Sequence, residues 1–187
     1  PSGNILYVAD RDNRRIRAIN LVTDQVSTIA GSGDVGKRDD TALSATFRSP
    51  VGLAVDPTGN LYIADQDNHA IRKLNTGGVV TTVAGLGLGS SGSTNGNSTV
   101  ARFNCPAGLA IDLQGDPLDP TVNLIVADTH NHLIRRIAVD PIKVVAGVSS
   151  GTDVSATIIA ADHGLNPGET YYFRWMSQSG VMETQQL

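Results

Sequence analysis

The sequence has one cysteine, Cys105, among its 187 residues. A single cysteine cannot form an intrachain disulfide, and it cannot build a cysteine-based zinc site. No apolar run approaches the roughly 18 residues that a membrane-spanning helix needs. Basic residues are also few, since 14 Lys and Arg stand against 18 Asp and Glu. Because nucleic-acid-binding proteins usually carry a basic face, this balance disfavours an RNA-binding function.

Turn-forming residues are abundant by contrast. The chain contains 20 glycines and 8 prolines, spread along its length, and 40% of its residues are apolar. This composition is typical of a globular protein with many turns and short strands. The chain begins PSGNILYVAD, without a methionine or a signal-like apolar run, so we expect it to be part of a longer polypeptide.

Three segments of the chain repeat one another, at residues 3–31, 59–85 and 122–147. Their alignment brings an aspartate, an asparagine and an arginine to equivalent positions in each copy. The three sets are Asp10, Asn13 and Arg17; Asp65, Asn68 and Arg72; and Asp128, Asn131 and Arg135. A repeat of this length predicts a modular architecture in which each unit packs on its neighbours.

Each repeat has the pattern of several short strands. The runs LYVA, LYIA and LIVA precede a polar turn and an alternating run, IRAI, IRKL or IRRI, and a third run ends on glycine. Before two of the repeats stand FRSPVGLAVD and FNCPAGLAID, whose Pro and Gly suit the start of a further strand. Four strands per unit predict an all-β fold of propeller blades.

The pattern P-x-G-[LIV]-A-[VI]-D followed by GN-[LI]-Y-[VI]-AD-x-x-N-x-x-IR resembles the NHL repeat family, and residues 131–133 spell Asn-His-Leu. The resemblance covers residues 3–147. It implies a β-propeller of about six four-stranded blades, of which this chain supplies two full blades (51–85 and 107–147) and one without its opening strand. We therefore expect upstream repeats, or another copy of the chain, to close the propeller.

The repeated Asp and Arg are seven residues apart across a turn, so a hairpin would pair carboxylate with guanidinium in every blade. We favour this structural interpretation over a ring of charges that binds a ligand in the central channel. The asparagines suit turns because they tolerate a left-handed backbone.

His130 and His132 form an H-x-H pair that resembles two metal ligands. Zinc needs about four ligands, or three and an open position, and no third histidine or cysteine stands nearby in the sequence. The equivalent positions of the other repeats hold Asp12 and Arg14, and Asp67 and His69. We therefore interpret both histidines as hairpin residues and predict no metal and no other cofactor.

The repeat pattern stops near Ser149, which predicts two domains, blades at 1–148 and a β-rich module at 149–187. The phrase HGLNPGETYYFRW resembles small β-modules of phage fibres and secreted bacterial proteins, and fibronectin type III-like domains. Alternation would place Tyr171, Phe173 and Trp175 on one strand face. That face is either part of a core or a contact surface for a sugar or a protein.

These features together predict a non-catalytic binding and scaffolding propeller with a protein or glycan partner. The glycine- and serine-rich joins at 31–48 and 86–104 are the expected contact loops, because propellers present their joins on a rigid frame. An extracellular or surface location is expected from these joins, the low lysine content and the appended module. The alternatives are a propeller enzyme with a metal-assisted site in its channel, and an RNA-binding propeller.

Overall fold

The computed structural model describes residues 3–85, 90–96, 100–112, 122–139, 145–147, 155–157, 172–176 and 182–186. These residues form antiparallel sheets, with single 3₁₀ turns at Gln66–Asn68 and Thr129–Asn131. The chain divides into two compact units, Pro1–Pro141 and Ile142–Leu187. The predicted domain boundary at residues 148 and 149 lies outside the described residues.

The first blade is a three-stranded antiparallel sheet in the order β1-β2-β3. Its strands are β1 (Ile5–Asp10), β2 (Arg15–Asn20) and β3 (Val26–Ala30). Alternation explains β2, because Ile16 and Ala18 are buried on one face while Arg17 lies on the other. Among the described residues, β1 pairs only with β2, so its second edge is open.

The second blade contains the four predicted strands and one more. They are β4 (Asp40–Thr41), β5 (Pro50–Val55), β6 (Leu61–Asp65), β7 (Ala70–Leu74) and β8 (Val79–Ala84), in the order β4-β8-β7-β6-β5. The additional strand β4 belongs to the join at 31–48, which therefore reaches the outer edge of the blade before it enters β5. Proline begins β5, where a missing N–H costs no ladder hydrogen bond.

The third blade contains β9 (Pro106–Asp112), β10 (Val122–Asp128) and β11 (Leu133–Val139), in the order β11-β10-β9. Its predicted fourth strand is β12 (Val145–Gly147), which instead pairs with β13 (Ser155–Thr157). This differs from the prediction of a second full blade at 107–147. A three-residue strand offers few ladder hydrogen bonds, so the sequence specifies its pairing partner only weakly.

The apolar core lies between blades. One cluster joins Ile16 of the first blade to Phe47, Leu61 and Ile63 of the second. The other joins Ile71 of the second blade to residues of the third, including Phe103, Leu124 and Val126. Blades that bury their faces on each other in this way are the packing of a β-propeller, so the predicted all-β fold class is confirmed.

The second unit contains two two-stranded sheets among its described residues. In addition to the β12–β13 pair, β14 (Tyr172–Met176) pairs with β15 (Met182–Gln186). Within the part of the chain that the structure describes, no helix is long and apolar enough for a membrane span.

Candidate functional site

The polar turn of each repeat joins two strands and ends on a left-handed residue. Arg14, His69 and His132 occupy this position, with φ of 55°, 51° and 55°. Such a residue brings the chain back sharply enough for the two strands to pair. The turn therefore holds the preceding aspartate beside the arginine of the next strand.

In the second blade, Asp65, Asn68 and Arg72 form a buried group that we call clamp 2. Arg72 Nη1 lies 3.2 Å from Asp65 Oδ2, and both side chains are fully buried. Asn68 Nδ2 donates to the same carboxylate oxygen at 2.6 Å. A buried carboxylate bonded by a guanidinium and an amide is held in one orientation.

Clamp 2 binds the backbone of the join that enters its blade. Arg72 donates to the carbonyl of Thr46 at 3.0 Å and to that of Arg38 at 2.9 Å. Asn68 donates to the carbonyl of Gly36 at 2.7 Å. These contacts fix the join at three separate points.

The second oxygen of Asp65 completes this binding by accepting the backbone N–H groups of Arg48 and Ser49, each at 3.0 Å. The Arg72 guanidinium also lies over the Phe47 ring, 5.1 Å from its centroid, where a desolvated cation–π contact is favourable. The phenylalanine, the two following amides and the clamp thus form one packed unit.

Asp39 connects the clamp to the outer edge of the blade. Its carboxylate accepts Arg72 Nη2 at 2.7 Å and the hydroxyl of Thr82 at 2.9 Å. It also accepts the Thr82 N–H at 2.9 Å. Lys37 Nζ donates to the carbonyl of Gly85, and burial lowers the pKa of this lysine.

Clamp 3 consists of Asp128, Asn131 and Arg135, and it binds the next join in the same way. Arg135 donates to the carbonyls of Arg102 and Thr94 at 3.1 and 3.0 Å, and Asn131 donates to that of Gly92 at 2.7 Å. Asp128 accepts the N–H of Asn104 at 2.7 Å. The Arg135 guanidinium stacks on Phe103 at 5.1 Å, and it bonds Asn95 at 2.7 Å where clamp 2 bonds Asp39.

The bound segments share a pattern that the strand alignment had not revealed. Both read G-x-x-[DN], then seven residues, then F-x-x-P; we call residues 36–50 and 92–106 the first and second anchor segments. F-x-x-P was recognisable in the sequence, but the residues before it, in the joins at 31–48 and 86–104, were expected to be contact loops. The identical spacing was the signal that could have identified them.

Clamp 1, formed by Asp10, Asn13 and Arg17, joins the same three residue types but is partly exposed. Arg17 Nε lies 3.0 Å from Asp10 Oδ2, and the two side chains are 30% and 26% exposed. Asn13 donates to Asp10 at 2.9 Å, and Arg17 donates to the Thr28 hydroxyl at 2.5 Å. The hydrogen bond from Arg17 lowers the pKa of the Asp10 carboxyl, so the acid is ionised at neutral pH.

A cleft of about 590 Å³ adjoins clamp 1. Apolar residues from the three strands of the first blade contribute to its lining, including Val8, Ile19 and Val26. The cleft thus combines the Asp10–Arg17 ion pair with an apolar wall.

Asp56 is a buried acid outside the clamps. Burial opposes its ionisation, but hydrogen bonds from Asn60 and Thr58 together lower its pKa. The Tyr62 hydroxyl donates to it at 3.3 Å, and burial followed by the charge of Asp56 raises the pKa of that phenol. These bonds hold the turn between β5 and β6, and they account for the acid structurally.

The two candidate metal ligands, His130 and His132, are exposed on the hairpin turn. Among the described residues, no group of three His, Cys, Asp or Glu side chains is placed to hold a metal ion. His69, the equivalent of His132, accepts the backbone N–H of Cys105 at 3.0 Å through Nδ1. Burial raises the pKa of the Cys105 thiol, which disfavours the thiolate.

We predict that His132→Val destabilises the first unit by about 1–2 kcal/mol, because a β-branched residue strains the left-handed turn. His132→Gly, which relieves that strain, should retain the wild-type stability. Urea denaturation followed by circular dichroism measures both. A loss in the glycine variant equal to that in the valine variant would show that the imidazole itself matters.

The predicted aromatic surface lies in the second unit. Phe173 and Trp175 alternate within β14, whereas Tyr171 lies outside the described residues. The common face of these aromatic side chains and its use as a contact surface stay a prediction.

Comparison with known proteins identifies the repeat. Residues 47–74 match the NHL repeat family, a range that contains Phe47, strands β5 to β7 and all of clamp 2. The chain is 35% identical over 142 residues to the chloroplastic protein SUPPRESSOR OF QUENCHING 1 of Arabidopsis thaliana, covering 70% of this chain and 12% of that protein. It is 32% identical over 142 residues to human NHL repeat-containing protein 2, covering 70% of this chain and 18% of that protein.

A solved structure shows the same fold. An auxiliary nutrient binding protein from Bacteroides thetaiotaomicron superposes with a TM-score of 0.62 at 27% identity, covering 73% of this chain and 35% of that chain. The fold and the clamps define a set of β-propeller blades. The second blade contains an NHL repeat, so the predicted resemblance to the NHL family is confirmed, and the chain spans 12% and 18% of these two relatives.

Proposed function

We propose that the chain is a non-catalytic binding and scaffolding part of a larger β-propeller, with a protein or a glycan as its partner. The observation that carries this proposal is the first join, which clamp 2 fixes while it displays apolar side chains. Val35 and Leu43 of this join are 59% and 60% exposed. The binding role is supported by the NHL repeat and by the likeness to a nutrient binding protein.

A fixed loop favours recognition because little conformational entropy remains to be lost on binding. The join is bonded to clamp 2 through the carbonyls of Gly36, Arg38 and Thr46. Leu43 lies between the last two of these points. Its exposed side chain can therefore fill a partner's pocket without ordering the backbone, which favours a protein over a glycan.

The role of the repeated charges supports a non-catalytic function. Clamps 2 and 3 use their carboxylates and guanidiniums to bind the backbone of the joins. A charge that serves as a structural bond in the second and third blades is not available to a substrate. The metal-assisted enzyme and the RNA-binding propeller are the competing functions.

We place the protein outside the cell or on a microbial or phage surface. The glycine- and serine-rich joins and the β-rich second unit support this location, as does the likeness to a bacterial nutrient binding protein. The Arabidopsis relative is named as chloroplastic, so an organelle is the competing location. Antibody labelling of intact and permeabilised cells distinguishes them: an epitope accessible only after permeabilisation would contradict a surface location.

Leu43→Asp is the variant that tests the binding role, with Leu21→Asp as its matched control. Leu21 is 54% exposed in the first blade, outside the join. Immobilised chain is probed with surface-protein extracts and a glycan array, and each captured ligand is purified and titrated. We expect Leu43→Asp to weaken binding about tenfold or more and Leu21→Asp to leave it unchanged.

Three results would contradict the proposal. The first is a ligand that binds both variants equally. The second is the binding of a metal ion in stoichiometric amount together with an enzymatic activity, when the His130→Ala variant loses both. The third is micromolar RNA binding at low salt that weakens steeply as salt is added.

A further inference from the structure

The second join contains the only Asn-Gly dipeptide of the sequence, Asn95-Gly96. In this dipeptide the backbone nitrogen of the second residue reaches the side-chain amide of the first with little obstruction, because glycine has no Cβ. Both residues are exposed in the structure. The amide of Asn95 is therefore open to attack by the following backbone nitrogen and to solvent water.

Arg135 of clamp 3 holds and polarises the Asn95 amide. Its Nη2 donates to Asn95 Oδ1 at 2.7 Å. Because a guanidinium has hydrogen-bond donors only, the atom that faces it is the amide oxygen, and the amide nitrogen is left as the leaving group. A charged donor on a carbonyl oxygen stabilises the negative charge that develops there when a nucleophile adds to the carbon. Arg135 thus activates Cγ of Asn95.

The nucleophile and the leaving group are both free of competing bonds. Among the described residues, neither the Gly96 N–H nor the Asn95 Nδ2 group donates a hydrogen bond. The carbonyls of Gly92 and Thr94, by contrast, are bound by Asn131 and Arg135. The chain is therefore fixed just before the dipeptide, while the nitrogen that must react is available.

We propose that Asn95-Gly96 is a site of spontaneous deamidation that the guanidinium of Arg135 accelerates. The Gly96 nitrogen bonds to Asn95 Cγ and gives up its proton, the Cγ–Nδ2 bond breaks, and ammonia leaves with that proton. This step leaves a five-membered succinimide ring. Water, the only co-reactant, then adds to one of the two ring carbonyls and opens the ring to aspartate or to isoaspartate.

The aspartate product has a counterpart in the second blade. Asp39 occupies the position equivalent to Asn95 in the first anchor segment. Its carboxylate accepts Arg72 Nη2 at 2.7 Å, which is also the distance from Arg135 Nη2 to the Asn95 amide oxygen. A carboxylate at position 95 would therefore retain the bond and make it charge-assisted on both sides. Deamidation to aspartate gives clamp 3 the same outer contact as clamp 2.

The isoaspartate product would change the path of the join instead. Its main chain runs through the former side-chain carboxyl and gains one carbon atom between positions 95 and 96. Arg135 binds the carbonyls of Thr94 and Arg102, which lie on either side of this insertion. The added atom changes the spacing of these two carbonyls along the chain, so the isoaspartate form should loosen the second join from clamp 3.

Peptide mapping by mass spectrometry follows the reaction in the full 187-residue chain, incubated in buffer at neutral pH. Deamidation raises the peptide mass by about one unit, and chromatography against the Asn95→Asp variant distinguishes aspartate from isoaspartate. We expect Asn95 to react about tenfold or more faster in the wild type than in Arg135→Met. In urea, where the guanidinium is no longer held on the amide, the two chains should react at equal rates.

Arg136→Met is the matched control, because Arg136 is the next residue on β11 and its side chain, 63% exposed, lies near Asp112. This variant should react as the wild type does. Asn95→Gln should give no product at position 95, since attack on the longer side chain would have to close a six-membered ring.

Two results would overturn the proposal. One is a folded wild-type chain that deamidates at Asn95 more slowly than the chain unfolded in urea, which would mean that the fold protects the dipeptide. The other is an Arg135→Met variant that reacts in buffer as fast as the wild type, which would mean that the guanidinium does not activate the amide.

Discussion

Arg72→Met is expected to destabilise the first unit by about 3–5 kcal/mol, the usual consequence of removing one partner of a buried ion pair. The Asp65 carboxylate, which is 0% exposed, would lose its guanidinium. The carbonyls of Thr46 and Arg38 and the carboxylate of Asp39 would each lose a donor. Urea denaturation followed by circular dichroism measures the change. Tryptophan fluorescence would not report on the first unit, because the only tryptophan in the sequence, Trp175, belongs to the second unit.

Arg17→Met is the matched control for this prediction. It removes the equivalent arginine from clamp 1, where both partners of the ion pair are partly exposed, so we expect a loss of about 1 kcal/mol or less. An equal loss of stability in the two variants would show that the hydrogen bonds from Arg72 to the join contribute little to the stability of the first unit. Hydrogen exchange locates the effect: the amides of Arg48 and Ser49, which donate to Asp65, should exchange faster in Arg72→Met.

The strands and hairpins were predictable because they follow from local pattern. The run RIRAIN alternates, and alternation with a polar turn on one side predicts a strand that is buried on one face. Repetition strengthened the prediction, since the spacing of seven residues between Asp65 and Arg72 recurs in all three copies. The structure pairs each aspartate with the arginine seven residues later.

The degree to which each clamp is buried was not predictable in this way. Arginine is usually exposed, so nothing local distinguishes the fully buried Arg72 from Arg17, whose side chain is 30% exposed. The difference arises from the anchor segment, which the clamp holds largely through backbone carbonyls. Every residue type has a backbone carbonyl. Most positions of the anchor segment that the clamp binds therefore have no characteristic residue type in the sequence.

The glycine that ends each repeat leads to a second prediction of large effect. Gly85 has a φ of +87°, and a Cβ there would lie 2.2 Å from the carbonyl oxygen of His69. Gly31 is equivalent, with a Cβ position 2.3 Å from the carbonyl oxygen of Arg14. The glycine is thus required because β8, and β3 before it, passes directly against the left-handed residue of the hairpin.

Gly85→Ala is expected to cost about 3 kcal/mol, at the upper end of the range for single substitutions, because backbone must move on both sides of the contact. Gly78→Ala separates the steric overlap at Gly85 from the effect of a positive φ alone. Gly78 has a φ of +79°, but a Cβ there would have nothing within 4 Å, so we expect a loss of only about 1 kcal/mol. Urea denaturation of the two variants measures the difference, and equal losses would mean that the close approach to His69 is relieved at no cost.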